Sequence, residues 1–364
     1  MTPDPKTPPE PRPAISRMQP YEWEPPSAAI AQRAGVPEEQ VVRFDTNTFP
    51  WPGAALARLS PEPLNEYPDT SYRRLTEAIA RYTGVPVDRI TVGAGADEVL
   101  DLIAKAYIDG SVRALISRPT YPMFAVLTEM AGGSIEAVPA VDLRLDREAF
   151  LDRARHARLT WLSNPNNPTG ELLPFDYVEA LAGVTPGILV LDEAYCEMSG
   201  VTGLPLIDRM PNVVVVRTLS KAFGLAGARV GYALAGPAIS GALRRVRPPG
   251  SISVVSAALA VQSLADLSGM RDRVERIKTE RTRLQRELAS LGLEARESAA
   301  NFLLVRAGRQ LAPVLLRSGL VVRTFPAASP LADFIRVTVR RPEENDRLID
   351  ALKTAPRPGE VAAS

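Results

Sequence analysis

Three short apolar runs, at residues 159–162, 188–191 and 213–216, constrain this chain more than any other feature of its sequence. None of them alternates polar with apolar residues. A strand with one wet face would alternate, so these runs suit strands buried on both faces, as in a parallel sheet covered by helices. A helix-compatible segment, 175–181, separates the first two. Strands alternating with helical stretches argue for an α/β architecture with a mainly parallel central sheet flanked by helices.

The same grammar continues on both sides. Leu75, Ala78, Ile79 and Tyr82 share one helical face, with Ser71 placed to cap the helix and Gly84 to stop it. Residues 90–92 read as a strand and 93–96 as a tight turn. A second helix follows, burying Leu100, Ile103, Ala104 and Tyr107. Further on, Met270, Val274, Ile277, Leu284, Leu288 and Leu291 recur at helical spacing until Gly292. Beyond them, strands at 302–305 and 334–339 indicate a smaller C-terminal αβ domain.

Each of the three apolar runs leads into a polar cluster. The first is followed by Asn164-Pro165-Asn166-Asn167-Pro168-Thr169-Gly170, the second by Asp192-Glu193-Ala194-Tyr195, and the third by Arg217-Thr218-Leu219-Ser220-Lys221. Ligands of open α/β sheets bind outside the carboxyl ends of the strands. Asn167, Asp192, Tyr195 and Lys221 are therefore expected to converge on one crevice. Singly, each has a plainer explanation: a turn, a helix cap or a loop lysine.

Composition removes several alternatives. Lys and Arg total 43 against 42 for Asp and Glu, which gives no reason to expect a nucleic-acid or anionic-membrane surface. One cysteine, Cys196, and one histidine, His156, rule out an internal disulfide, a Cys- or His-rich metal site and a His-activated nucleophile. No metal is expected. No apolar stretch approaches the roughly 20 residues a membrane helix needs, and the N-terminus lacks a secretory signal, so a cytoplasmic location is expected. Gly93-Ala94-Gly95 fails as a dinucleotide fingerprint because Glu98 occupies the third glycine position, and there is no phosphate-binding Walker loop.

In motif order, the chain resembles the fold-type I pyridoxal 5′-phosphate (PLP) enzymes of the class I/II aminotransferase group, above all their histidinol-phosphate branch. The matching segments are Tyr67-Pro68-Asp69, Gly93 to Glu98, Pro119-Thr120-Tyr121, Asn164 to Gly170, Asp192 to Tyr195, Ser220 to Tyr232, Asn301-Phe302 and Ile335-Arg336-Val337. The Ser-Lys segment through Arg229 and Gly231 is the most specific; Tyr-Pro-Asp is weak by itself. Proline and charge make 1–26 read as a flexible arm and 355–364 as a disordered tail. Between them the resemblance implies a segment at 27–60 packing near the small domain and active site, a large PLP-binding domain at 61–255 and a small domain at 256–354.

It also implies roles. Lys221 would hold the cofactor as a Schiff base and move the proton during transfer. Asp192 would keep the pyridine nitrogen protonated, and Asn167 and Tyr195 would bond the phenolic oxygen. Tyr121 would stack on the ring. Gly95, Ala96 and Asp97 at a helix start, with Thr218, Ser220 and Arg229, would bind the phosphate. Tyr67 would reach the phosphate of a neighbouring subunit, which makes the partner a second copy of the chain. Arg336 would clamp the substrate's anionic end. Arg323 would help hold a substrate phosphate, with Tyr21 as a lid contact and Asn47 lining the same pocket. The implied reaction passes the amino group of L-histidinol phosphate to 2-oxoglutarate. The alternatives are another amino-acid aminotransferase, an enzyme like threonine-phosphate decarboxylase, or a PLP-binding module without turnover. The chain departs from the group's pattern at Arg340-Arg341, where Gly-Thr is usual, and at Cys196.

Overall fold

The computed structural model describes residues 12–16, 18, 24–53 and 64–355. Most of the arm assigned to 1–26, including Tyr21, and nearly all of the 355–364 tail lie outside the described residues.

A seven-stranded sheet organises the larger part of the molecule. Across it the strands run Ile90–Gly93, Gly231–Ala235, Val213–Thr218, Ile188–Asp192, Leu159–Ser163, Arg113–Arg118 and Ser134–Pro139. All pair in parallel except Gly231–Ala235, which is antiparallel to both of its neighbours. The three apolar runs are the adjacent central strands. Their lack of alternation has a direct cause. Leu189, Leu191, Val213 and Val215 enter the core on one face, while Val190, Val214, Val216 and Trp161 enter the core on the other. Nearly every position is buried, so apolar residues dominate both faces, with Thr160 a buried polar exception.

The expectation of a mainly parallel sheet flanked by helices holds. The sequence reading missed the strands Arg113–Arg118, Ser134–Pro139 and Gly231–Ala235. The first is bounded by two arginines, and the second is an edge strand with several half-buried residues, so neither shows a continuous apolar run.

One local expectation is corrected. The helix Arg73–Thr83 is not capped by Ser71: Tyr72 adopts the left-handed region at φ 49°, and the Asp69 carboxylate accepts from the Arg73 N–H at 3.3 Å. Ser71 instead donates its hydroxyl to Asp69. Gly84 ends the helix at φ 76°, as expected from its freedom at positive φ.

The long helix Leu267–Ser290 links the two parts of the chain. Met270, Val274 and Ile277 pack into the large core, and Leu284 and Leu288 into the smaller one. The smaller part holds a three-stranded antiparallel sheet of Phe334–Thr338, Phe302–Arg306 and Glu294–Ala295. The N-terminal strand Val42–Arg43 joins it from afar, pairing in parallel with Leu320–Val321 and contributing Val42 and Phe44 to its core. This brings residues 44–47 to the boundary between the two sheets. Among the described residues, no helix is long and apolar enough to cross a membrane.

Candidate active site

A cavity of about 670 Å³ opens where the central strands end, and the lining combines the large sheet, the residues after Val42–Arg43 and the C-terminal sheet. Register explains part of this convergence. Asp192 is the last residue of its strand and pairs with Ser163, the last residue of the neighbouring strand, so those two strands end at one level, while the third runs two residues past Val216 to Thr218.

Asp192 is 5% exposed and accepts the Ala194 N–H at 3.1 Å. Burial pushes its carboxyl up to about 7, and the Ala194 bond opposes the rise. Lys221 donates from Nζ to the Asn47 carbonyl at 3.1 Å and lies 5.7 Å from the Tyr195 ring centroid. Burial, reinforced by the Arg336 guanidinium, brings its ammonium down to about 8. The cavity thus holds an amine close to neutrality beside a carboxyl close to protonation, the pattern expected where chemistry needs tuned groups.

Tyr195 is buried edge-on against Phe302, with ring centroids 5.4 Å apart. Its hydroxyl accepts from Asn47 Nδ2 at 3.1 Å, and burial raises its pKa to about 12. Asn167 offers Oδ1 to Arg336 Nη1 at 2.7 Å, while Arg336 Nη2 donates to the Asp45 carbonyl at 2.6 Å. Arg336 is buried, with its Nε lacking a partner.

At the other end of the cavity, the helix Gly95–Tyr107 begins with Gly95 at φ 85°. A side chain there would run into the Arg229 guanidinium. Arg229 donates to Asp97 at 3.1 Å and to Ser220 Oγ at 3.4 Å, and Thr218 Oγ1 bonds Ser220 Oγ at 2.9 Å. Tyr121 donates its hydroxyl to Asp97 at 2.7 Å. Gly95, Ala96 and Asp97 therefore meet Thr218, Ser220 and Arg229 around one spot at a helix N-terminus, where N–H groups and the helix dipole favour an anion.

Arg323 also lines the cavity, and it exchanges backbone hydrogen bonds with Arg336 at 2.9 and 3.1 Å. Its guanidinium is paired with Glu24 at 2.7 Å. Of the other expected residues, Gly95 adjoins the lining residue Ala96 without lining the cavity itself. Tyr67 is 96% exposed on the surface, and Tyr21 lies outside the described residues.

Asn47 has a second position in this network. Besides facing the cavity, it is fully packed: its carbonyl accepts from Lys221 and from Asn301 Nδ2 at 3.2 Å, and its N–H donates to Thr338 Oγ1 at 2.9 Å. Sequence reasoning missed Asp45, Glu24, Asn301 and Thr338. The Asp45-Thr46-Asn47 triplet carried a signal for the first, and Asn301 lay in a matched motif. Nothing in the sequence marked Glu24.

The donor set fits PLP. An amine near neutrality suits its aldehyde, and a buried carboxyl that gains from a neighbouring ring N–H suits its pyridine. The hydroxyls, the guanidinium and the helix N–H groups around Gly95 suit its phosphate.

Fold and site together define a PLP-dependent transaminase of fold type I. The chain belongs to the family described as aminotransferase class I and II, whose profile matches residues 41–352. It is 37% identical to a histidinol-phosphate aminotransferase of Roseiflexus castenholzii, over 94% of this chain and 97% of that one. It is 39% identical to histidinol-phosphate aminotransferase 1 of Archaeoglobus fulgidus, over 86% and 98%. Among solved structures, the histidinol-phosphate aminotransferase of Sinorhizobium meliloti, in complex with PLP, superposes with a TM-score of 0.83 at 30% identity, covering 93% of this chain and 95% of that one. As an aminotransferase, the chain takes an amino donor and a 2-oxo acid.

Proposed function

We propose that this enzyme transfers the amino group of L-histidinol phosphate to 2-oxoglutarate, giving imidazole acetol phosphate and L-glutamate, as a step of histidine biosynthesis in the cytoplasm. The observation that carries the substrate choice is the pairing of Arg336 with Arg323. An isolated antiparallel bridge sets Arg323 opposite Arg336 of the strand Phe334–Thr338, and both residues line the cavity that contains Lys221. One arginine suffices for a carboxylate; two suit a phosphate dianion. The named relatives above support the same choice.

PLP, when bound, supplies the electron sink that lets the donor's Cα–H bond break. The protein's residues do the rest. Lys221, its pKa lowered by burial, would hold the cofactor's aldehyde carbon, and its freed amine would serve as the group that moves the donor's Cα proton. Asp192 keeps the ring nitrogen protonated, and the benefit is mutual because the ring's charge relieves a buried carboxylate. Tyr195, oriented by Asn47, and Asn167 face the phenolic oxygen. Tyr121 packs on the ring. Gly95, Ala96, Asp97, Thr218, Ser220 and Arg229 hold the phosphate. Arg336 with Arg323 would take the donor's phosphate, Arg336 would take the acceptor's carboxylate, and Asn47 lines the same pocket. Tyr67 would serve a second copy of the chain in a homodimer, and its almost complete exposure is compatible with that role.

The test is steady-state turnover of the holoenzyme with L-histidinol phosphate and 2-oxoglutarate, read as glutamate formed. Turnover with this donor at least roughly a hundredfold more efficient than with phenylalanine is expected, equivalent to about 2.7 kcal/mol of discrimination. Equal use of unphosphorylated amino acids would discard the substrate while keeping the transaminase. Release of carbon dioxide from threonine phosphate without a keto acid would move the chain to a decarboxylase.

A further inference from the structure

Glu24 stands where a substrate anion has to go. Its Oε1 is 2.7 Å from Arg323 Nη1, and both side chains are largely covered, 22% and 30% exposed. The position is built rather than incidental. Arg43 donates to the Pro25 carbonyl at 3.0 Å while gripping Asp45 through two bonds of 2.8 Å, so the residues around Glu24 are tied to the strand that leads into Asn47. Glu24 and Arg323 both line the Lys221 cavity, and both also line an adjoining cavity of about 1000 Å³. Glu24 therefore sits at the passage between the two. Its charge also reaches Arg336, whose charged form it favours and Arg323 disfavours.

The charges at this end are Arg43, Arg323 and Arg336 against Asp45 and Glu24. Asp45 is matched to Arg43 and also favours the charged form of Arg336, and among the described residues Glu24 is the carboxylate that pairs with Arg323 itself. A phosphate bound at Arg323 would lie beside Glu24, like charge against like, and would have to displace it. We propose that Glu24 is an internal counter-ion that occupies Arg323 between substrates, weakening the site for phosphate dianions so that one pair of arginines can take and release both a phosphorylated donor and a carboxylate acceptor. This rests on the reading that Arg323 faces the substrate's anion. It makes Glu24 a specificity residue acting through Arg323, and it predicts the opposite of what a structural support for Arg323 would give.

The probe is inorganic phosphate on the holoenzyme, whose cofactor-phosphate subsite is already filled. Phosphate binding is read in two ways: as competitive inhibition against 2-oxoglutarate and as a rise in melting temperature. Glu24→Gln is expected to tighten phosphate roughly tenfold, about 1.4 kcal/mol, and to lower KM for histidinol phosphate relative to KM for 2-oxoglutarate. Glu24→Asp, which keeps the charge, should restore wild-type-like phosphate binding. Arg323→Met added to Glu24→Gln should abolish the gain. Unchanged or weaker phosphate binding in Glu24→Gln would overturn the proposal, because a group that merely orients Arg323 gives that result. A gain that survives Arg323→Met would overturn it too. Failure to turn over histidinol phosphate, with phosphate tightening intact, would instead reject the donor assignment and leave the counter-ion role standing for another anionic substrate.

Discussion

Burial moves Asp192 and Lys221 in opposite directions, because it disfavours the charged form of each. The consequence for stability can be worked out with its sign. Asp192 titrates near 3.8 when unfolded and near 7 when folded, so the folded state holds the extra proton between those values. Its stabilising contribution is complete below about pH 4 and is lost as the pH rises to 7. Lys221 goes from 10.5 to about 8, so the unfolded state holds the extra proton there, and stability recovers as the pH rises from 8 to 10.5. In the cofactor-free protein the two together predict a minimum between pH 7 and 8. Thermal unfolding across pH 4 to 10 checks this. Asp192→Asn should raise the melting temperature of the cofactor-free protein at pH 8 by on the order of 5 °C, while abolishing transamination. Lys221→Met should remove the alkaline limb. A flat profile in the wild type would show that neither group is shifted as described.

At the scale of elements, the strand Gly231–Ala235 and the start of the helix Gly95–Tyr107 touch so closely that no side chain fits between them. A Cβ on Gly231 would overlap the backbone of Gly95 and Ala96. Gly231 pairs with Gly93 on one side and Thr218 on the other, so it cannot retreat without disturbing both. Gly231→Ala is therefore expected to cost about 1–3 kcal/mol and to weaken cofactor retention, since the helix start would be pushed from the proposed phosphate site. Gly183, inside the helix Phe175–Val184 with open space around it, is the control. Gly183→Ala should stabilise by up to about 1 kcal/mol. Urea unfolding of both variants tests the pair.

For the molecule as a whole, the proposed function assigns Tyr67 to the site of a second chain. Two inactive variants offer a direct test. Lys221→Met lacks the amine, and Tyr67→Ala is expected to lose cofactor affinity roughly tenfold or more if the tyrosine crosses to a neighbouring phosphate. Refolded together, they would form hybrid dimers with one intact site each. Recovery of about a quarter of wild-type activity at limiting cofactor is then expected from random pairing. No recovery would place Tyr67 in its own chain's site, and a Tyr67→Ala chain as active as wild type at limiting cofactor would place it outside the site. The helix Leu267–Ser290, which is common to both cores, makes a second demand at this scale. Leu284→Ala should cost about 2–5 kcal/mol and loosen the smaller sheet that carries Arg336, lowering activity before the large core unfolds.

The sequence alone determined the central strands and the residues at their ends. A strand buried on both faces is predominantly apolar, so the polar cluster at its end marks the edge of the sheet, and Asn167, Asp192, Tyr195 and Lys221 were legible for that reason. Tertiary structure decided what those residues touch. Asn47 meets Tyr195 across 148 positions, and Glu24 meets Arg323 across 299. The reversed strand Gly231–Ala235 likewise gave no pattern of its own, since both strand directions bury the same apolar side chains. Local sequence encodes periodicity and burial, which neighbouring residues share. A single ion pair or hydrogen bond between distant segments leaves no period, and only the packed chain brings its two ends together.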